Sequence, residues 1–103
     1  MTTIPEIMNK VEYVTGVTRD QILAKSRLHR FVRARQIIAY IAYHKYRYRM
    51  YEIGGPLNRH YSVIHDYLRK VEGYLSFGND YDGFRSDIDR AMRMLKPLEH
   101  GIR

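Results

Sequence analysis

The sequence predicts an all-α fold: a compact domain of about six helices that includes a helix-turn-helix. Three observations lead there. Apolar residues recur at helical spacing along nearly the whole chain. No stretch makes a convincing strand. Near residue 55 a Gly-Pro break separates two short apolar faces that can share one small core. At 103 residues the chain is one domain, residues 1–103. That length buries roughly 60–70 % of the unfolded surface, enough for a modest core without staples.

The elements follow in order. Ile4, Ile7, Met8, Val11 and Val14 mark a first helix, with Pro5 suited to its first turn and Gly16 to its end. Thr18 and Gln21 fit a capping box that opens a short helix through about Ala24. Lys25 to His29 reads as a basic connector. A long helix follows from about Arg30 to Tyr48, near 28 Å at about 1.5 Å per residue. Its middle, Ile37 to Tyr43, is apolar on almost every side, so other helices should surround it. Met50 to Gly54 can form a short helix, which Gly55-Pro56 should turn. Asn58 is a good N-cap for a helix from Arg59 to about Leu75, whose apolar face is Ile64, Leu68, Val71 and Leu75. Ile53, Leu57 and Ile64 then have the spacing of a helix-turn-helix. After a polar loop, Ser76 to Asp82, the residues Phe84, Ile88, Met92 and Leu95 mark a last helix that Pro97 should end.

Charge is unevenly spread. All of the net +7 arises between Asp20 and Glu52, a stretch with no acid. It carries Lys25, Arg27, Arg30, Arg33, Arg35, Lys45, Arg47 and Arg49, while acids and bases nearly balance elsewhere. Such a window is either a solvated face or a polyanion-binding surface. The helix-turn-helix spacing directly downstream favours the second reading. It would place Arg59, His60, Tyr61 and Ser62 in the DNA major groove, where Arg suits guanine and Tyr the thymine methyl.

Other chemistries find little support. The absence of Cys excludes disulfides and thiolate metal sites. No phosphate-cradling Gly-Lys loop is present, so no nucleotide is expected. His60 and His65 are five apart, the wrong spacing for two ligands on one helix face. Asp80, Asp82, Asp87 and Asp89 lack the Gly and terminal Glu of a calcium loop and read as solvated caps. No cofactor or metal is expected, and an enzyme is the least supported class. Most of the many Tyr residues read as half-buried packing, with Tyr51 and Tyr61 as exceptions beside the proposed groove face. No run of roughly 18 apolar residues exists, so no membrane span is expected. No signal peptide is visible, which makes cytoplasm the expected compartment.

From Arg27 to Glu72 the sequence resembles the C-terminal DNA-binding domain of the bacterial chromosomal replication initiator DnaA. The residues that carry the likeness are Lys25-Ser26-Arg27, Arg33-Ala34-Arg35-Gln36, Glu52-Ile53-Gly54 and Arg69-Lys70-Val71-Glu72. From Arg27 to Gly54 the spacing matches without a gap. The resemblance implies a DnaA C-terminal, Trp-repressor-like fold that binds double-stranded DNA in a sequence-specific way. It assigns Arg27 to the minor groove, Arg35 and Gln36 to phosphates, and Met50 and Tyr51 to the border of the major groove. With the charge map, Lys25 and Arg30 join Arg27 around the minor groove and its phosphates, and Arg33 joins the phosphate clamp. Arg69 and Lys70 complete the candidate contacts.

Two departures stand out. The family signature Gly-Gly-Arg-Asp-His-Thr-Thr-Val is not intact. The register that keeps the helix ungapped puts Arg59 on Arg, His60 on Asp, Tyr61 on His, Ser62 on the first Thr and Val63 on the second. The alternative keeps His60 on the signature His but needs an extra residue inside the helix. That would rotate its apolar face by about 100°, so the first register is preferred. The family's initiators also carry an ATPase, for which this length leaves no room. Origin-like DNA binding without melting is the expectation, beside the nucleoid of a bacterium, a phage or a mobile element. A protein-interaction module that mimics or modulates the initiator, engaging replication or regulatory proteins, is the alternative. Structured RNA is a third option.

Overall fold

The helix boundaries follow from local capping wherever a cap is available. The computed structural model describes residues 2–97. Helix α1 spans Ile4–Thr15; the Thr3 hydroxyl accepts from the Glu6 N–H, and the Glu6 carboxylate accepts in return from the Thr3 N–H. Gly16 ends it in the left-handed region at φ +77°, donating to Glu12 O at 2.8 Å. Thr18 and Gln21 form the same reciprocal box at the start of α2, Arg19–Leu23. Both assignments agree with the sequence reading. Among the described residues no strand occurs.

Helix α3, His29–Tyr40, is the central element and continues into a π-turn at Ile41–Lys45. It packs against α1, α2, the later helix α5 (Tyr61–Leu75) and the last helix α6 (Phe84–Arg93). Its Phe31, Ala34, Ile37, Ile38 and Ala39 are buried, with Ile41 and Ala42 of the π-turn. The expected straight run to Tyr48 is not what forms. A π-turn holds an extra residue and rotates everything after it. Here that rotation places Tyr46 in the core at 3 % exposure, its hydroxyl donating to Lys96 O. Lys45 Nζ donates to Met92 O at 3.0 Å. The chain then leaves the helix at Arg47, which takes a left-handed φ of +63°.

The helix-turn-helix differs from expectation at its corner. Gly55-Pro56 does not turn the chain; α4 runs through it, Met50–Leu57. Pro56 forfeits one hydrogen bond of the last turn, which full burial of Ile53 and Leu57 offsets. The stop is Asn58, left-handed at φ +60°. Its N–H donates to Gly55 O at 3.0 Å, and the Arg59 N–H donates to Gly54 O at 2.9 Å. That bond pair is a Schellman closure, so Asn58 ends α4 rather than capping α5. The N-cap of α5 is His60. The two helices meet closely at Gly54, where a Cβ would overlap the Arg59 carbonyl oxygen. Ile64, Leu68 and Val71 of α5 bury as the periodicity requires. Asp80 lies ahead of α6, its carboxylate accepting from the Arg85 and Ser86 N–H groups at 2.8 and 3.1 Å. The Ser86 hydroxyl beside it, with these N–H donors, holds the Asp80 carboxyl below its ordinary pKa.

Helix α2 has no glycine at its end, and Ala24 is extended. Its terminal carbonyls find their donors in one side chain from α3. Arg35 Nε donates to Ile22 O at 2.6 Å and Nη1 to Ser26 O at 2.9 Å. Its Nη2 donates to Gln21 O at 3.2 Å and Ala24 O at 2.6 Å. Arg35 is 1 % exposed. Burial, with the Arg59 charge adding, pulls its guanidinium below the ordinary pKa, while Tyr67 opposes the shift.

Two stability predictions follow. Gly54→Ala should lower unfolding free energy by about 1–3 kcal/mol, the range for overpacking a tight contact. Gly73→Ala, in open space on α5, should instead raise it by about 0.5–1 kcal/mol; urea melts of both variants decide. Arg35→Ala should cost about 3 kcal/mol, because it strands several carbonyls at once. Arg35→Lys should recover less than half of that, since an ammonium cannot span four acceptors; thermal melts give the comparison.

Candidate nucleic-acid interface

The loop after α2 and the start of α5 come together because two arginines converge on one carbonyl. Arg59, at the corner of the helix-turn-helix, sends Nη2 to Ala24 O at 2.5 Å, the oxygen Arg35 also holds. Arg59 Nη1 donates to Leu57 O and Asn58 O at 3.2 and 3.0 Å. A guanidinium offers five donors in a fixed fork, so it can tie three carbonyls of two backbone segments without moving. The result is an open groove of about 480 Å³ between the basic loop and α5. Lys25, Ser26 and Arg27 form one wall; Asn58, Arg59, Val63, Asp66 and Lys70 line the other side.

The structure sorts the sequence-predicted residues into two groups. Lys25 and Arg27 are exposed on the loop, and Arg30 is exposed at the start of α3, its guanidinium 4.8 Å from the centre of the Phe31 ring. Tyr61, at 56 % exposure, and Ser62 occupy the first turn of α5, with His60 before them. Arg69 and Lys70 are exposed farther along α5. Tyr51 is 65 % exposed and Met50 half-buried in the first turn of α4, though neither lines the groove.

The remaining four are corrected. Arg35 and Gln36, at 1 % and 5 % exposure, lie in the interior and cannot form a surface phosphate clamp. Arg33 is turned toward the far side. Its Nη2 pairs with Asp87 at 2.6 Å and donates to Asp82 O at 2.8 Å, while Nε donates to Asp82 O at 3.1 Å. The physical reason is common to all three: α3 is covered by helices, which bury Gln36 and turn the donors of Arg33 and Arg35 toward neighbouring elements. Arg59 lines the groove, but its guanidinium is engaged with backbone carbonyls rather than free for a base edge. Other residues that line the groove were not among the predicted contacts, polar Ser26, Asn58 and Asp66 among them. The Asp66–Lys70 pair, 3.5 Å apart, was available from its i,i+4 spacing.

These contacts divide the basic window. Arg33, Arg35 and Lys45 spend their donors internally. His29 adds to the α6 side, with Nε2 2.7 Å from Asp82. Asp82 and Asp87 therefore sit beside bases of α3, and neither lines the groove. Lys25, Arg27 and Arg30 keep their charge at the surface. Arg47 and Arg49 line a separate, shallower recess of about 370 Å³ with Tyr43, His44 and Tyr48. Among the described residues no group of three or more His, Asp or Glu is placed to hold a metal ion. No described helix is long and apolar enough to cross a membrane.

The register of the altered signature is consistent with the geometry. His60 stands at the N-cap, its Nδ1 accepting from the Ser62 N–H at 3.2 Å. Asp is among the favoured residues at that position, which fits the alignment of His60 with the signature Asp.

Comparison with known proteins agrees with this architecture. Residues 4–71 match the family described as "Bacterial dnaA protein helix-turn-helix". The chromosomal replication initiator protein DnaA of Thermotoga maritima is 35 % identical over 79 residues, 77 % of this chain and 18 % of that protein. The protein of the same name from Pseudothermotoga lettingae is 29 % identical over 93 residues, 88 % of this chain and 20 % of its own length. The chain thus spans about a fifth of the curated relatives it matches. No solved structure matches it. With two thirds of its length matched, helix-turn-helix included, this chain belongs to the bacterial DnaA helix-turn-helix family.

Proposed function

We propose that this domain binds double-stranded DNA with sequence preference, through the first turn of α5 and the basic loop together. The observation that carries the reading is the loop's attachment. Arg35 and Arg59 hold residues 24–26 against the corner of the helix-turn-helix, so Lys25 and Arg27 flank the groove beside α5. A loop free to move would lose entropy on binding; one already tied down presents its cations in place. In a helix-turn-helix the second helix enters the major groove with its N-terminal residues at base edges. Here those residues are His60, Tyr61 and Ser62. Arg27 is then positioned for the adjacent minor groove. Lys25, Arg30, Arg69 and Lys70 supply the phosphate contacts, and Met50 and Tyr51 border the site.

The internal use of Arg33 and Arg35 lowers the expected phosphate count. Four contacts give a log–log slope of affinity against salt of about −4, whereas six would give about −5. Fluorescence anisotropy of a labelled duplex across a salt series measures it. A flat dependence, or no duplex binding near micromolar affinity at about 100 mM salt, would end the DNA-binding reading. Arg27→Ala should weaken a selected site about tenfold and a random duplex about twofold. Equal losses on both would remove any role in sequence preference.

A further inference from the structure

The cap of α5 leaves His60 with one defined chemical face. A backbone N–H can only donate. Since the Ser62 N–H points at His60 Nδ1 at 3.2 Å, Nδ1 is the bare nitrogen. The Ser62 hydroxyl, 2.9 Å from the same atom, has only its hydrogen to offer there. A neutral imidazole with Nδ1 bare carries its hydrogen on Nε2. The Tyr61 ring lies against the imidazole, centroids 4.5 Å apart, and steadies its orientation. His60 is exposed, with no other polar partner among the described residues for Nε2.

We infer that His60 acts as an obligate hydrogen-bond donor that selects guanine and rejects cytosine at the base it meets. This rests on the DNA-binding reading above and adds the chemistry of one contact to it. In the major groove guanine offers two adjacent acceptors, N7 and O6, whereas cytosine offers only the N4 amino donor. An Nε2–H facing N4–H₂ sets two donors together with no water between them, which is the costly arrangement for a buried polar pair. Thymine O4 and adenine N7 are each a single acceptor and rank between the two. An aspartate at this position would present only acceptors and would have the opposite preference.

Side chains that cap equally well separate the donor argument from stability. Asp and Asn are both good N-caps, so His60→Asp and His60→Asn should fold as the parent does, checked by thermal melts. Asn keeps the pattern: its oxygen takes the Ser62 N–H while its amino group still donates outward. Asp keeps the cap and reverses the outer face. The experiment is selection from a random duplex library with the parent chain and both variants. The parent and His60→Asn should share a motif with guanine enriched and cytosine depleted at one position. His60→Asp should exchange that preference for cytosine, by about tenfold in relative affinity on matched duplexes. Replacing that guanine by 7-deazaguanine should weaken the parent and leave His60→Asp unmoved. A parent motif in which no position responds to His60→Asp, or one enriched in cytosine there, would overturn the inference while leaving DNA binding intact. Failure of the parent to enrich any duplex would overturn the DNA-binding reading, and this inference with it.

Discussion

The Arg35 guanidinium occupies the place where α2 ends without a glycine, and four backbone carbonyls between Gln21 and Ser26 accept its hydrogen bonds. A helix C-terminus normally satisfies its last carbonyls through a left-handed residue or through water. Here the residue after α2, Ala24, is extended rather than left-handed. The charge comes from the central helix, in a position that water hardly reaches. Among the described residues no carboxylate pairs with it; the carbonyl dipoles do the compensating, and the negative end of the α2 dipole points toward it. The loop that follows α2 therefore has one path. Everything proposed for the binding surface depends on that path, because Lys25 and Arg27 are held in place by the bonds that Arg35 and Arg59 make to the loop backbone around them.

Charge in this protein has two destinations. Bases on α3 and the π-turn meet α6 and the loop before it, through Arg33 with Asp87 and Asp82 O, and Lys45 with Met92 O. These bonds fasten the C-terminal helix to the centre. Bases on the loop meet solvent. A single acid-free stretch of sequence thus supplies both bases that hold the helices together and bases that remain at the surface. The net charge of +7 overstates what a polyanion would find on any one face.

At the corner of the helix-turn-helix, closeness and chemistry are coupled. Gly54 lets the corner ahead of α5 approach until the Arg59 carbonyl lies against α4. Asn58 closes α4 with a Schellman pair, which leaves only Arg59 and His60 to reach α5. With so short a corner, the two residues divide the labour. Arg59 turns back to the Ala24 carbonyl and braces the loop, and His60 turns forward and caps the helix. The cap also sets the imidazole tautomer, so a local folding interaction determines what the side chain can show to a ligand.

The sequence by itself determined the helices and their faces. The box at Thr18, the stop at Gly16 and the buried faces of α1, α5 and α6 depend on contacts within a few residues, and local pattern reports those directly. It also located the helix-turn-helix and the basic window, and its family likeness agreed with both. It did not determine where the arginines point. Arg27 and Arg35 look alike in a list of charges, yet one is at the surface and the other buried. A hint was present in two places: α3 was apolar enough to be surrounded, and α2 lacked a C-terminal glycine. Combining them requires knowing that α2 ends beside α3, which is a long-range fact. The run of α4 through Pro56 and the π-turn after Tyr40 were likewise settled by burial of Leu57 and Tyr46, against local preference. Tertiary structure alone decided which cations are structural and which are free, because a buried donor must find an acceptor wherever the packing has placed one.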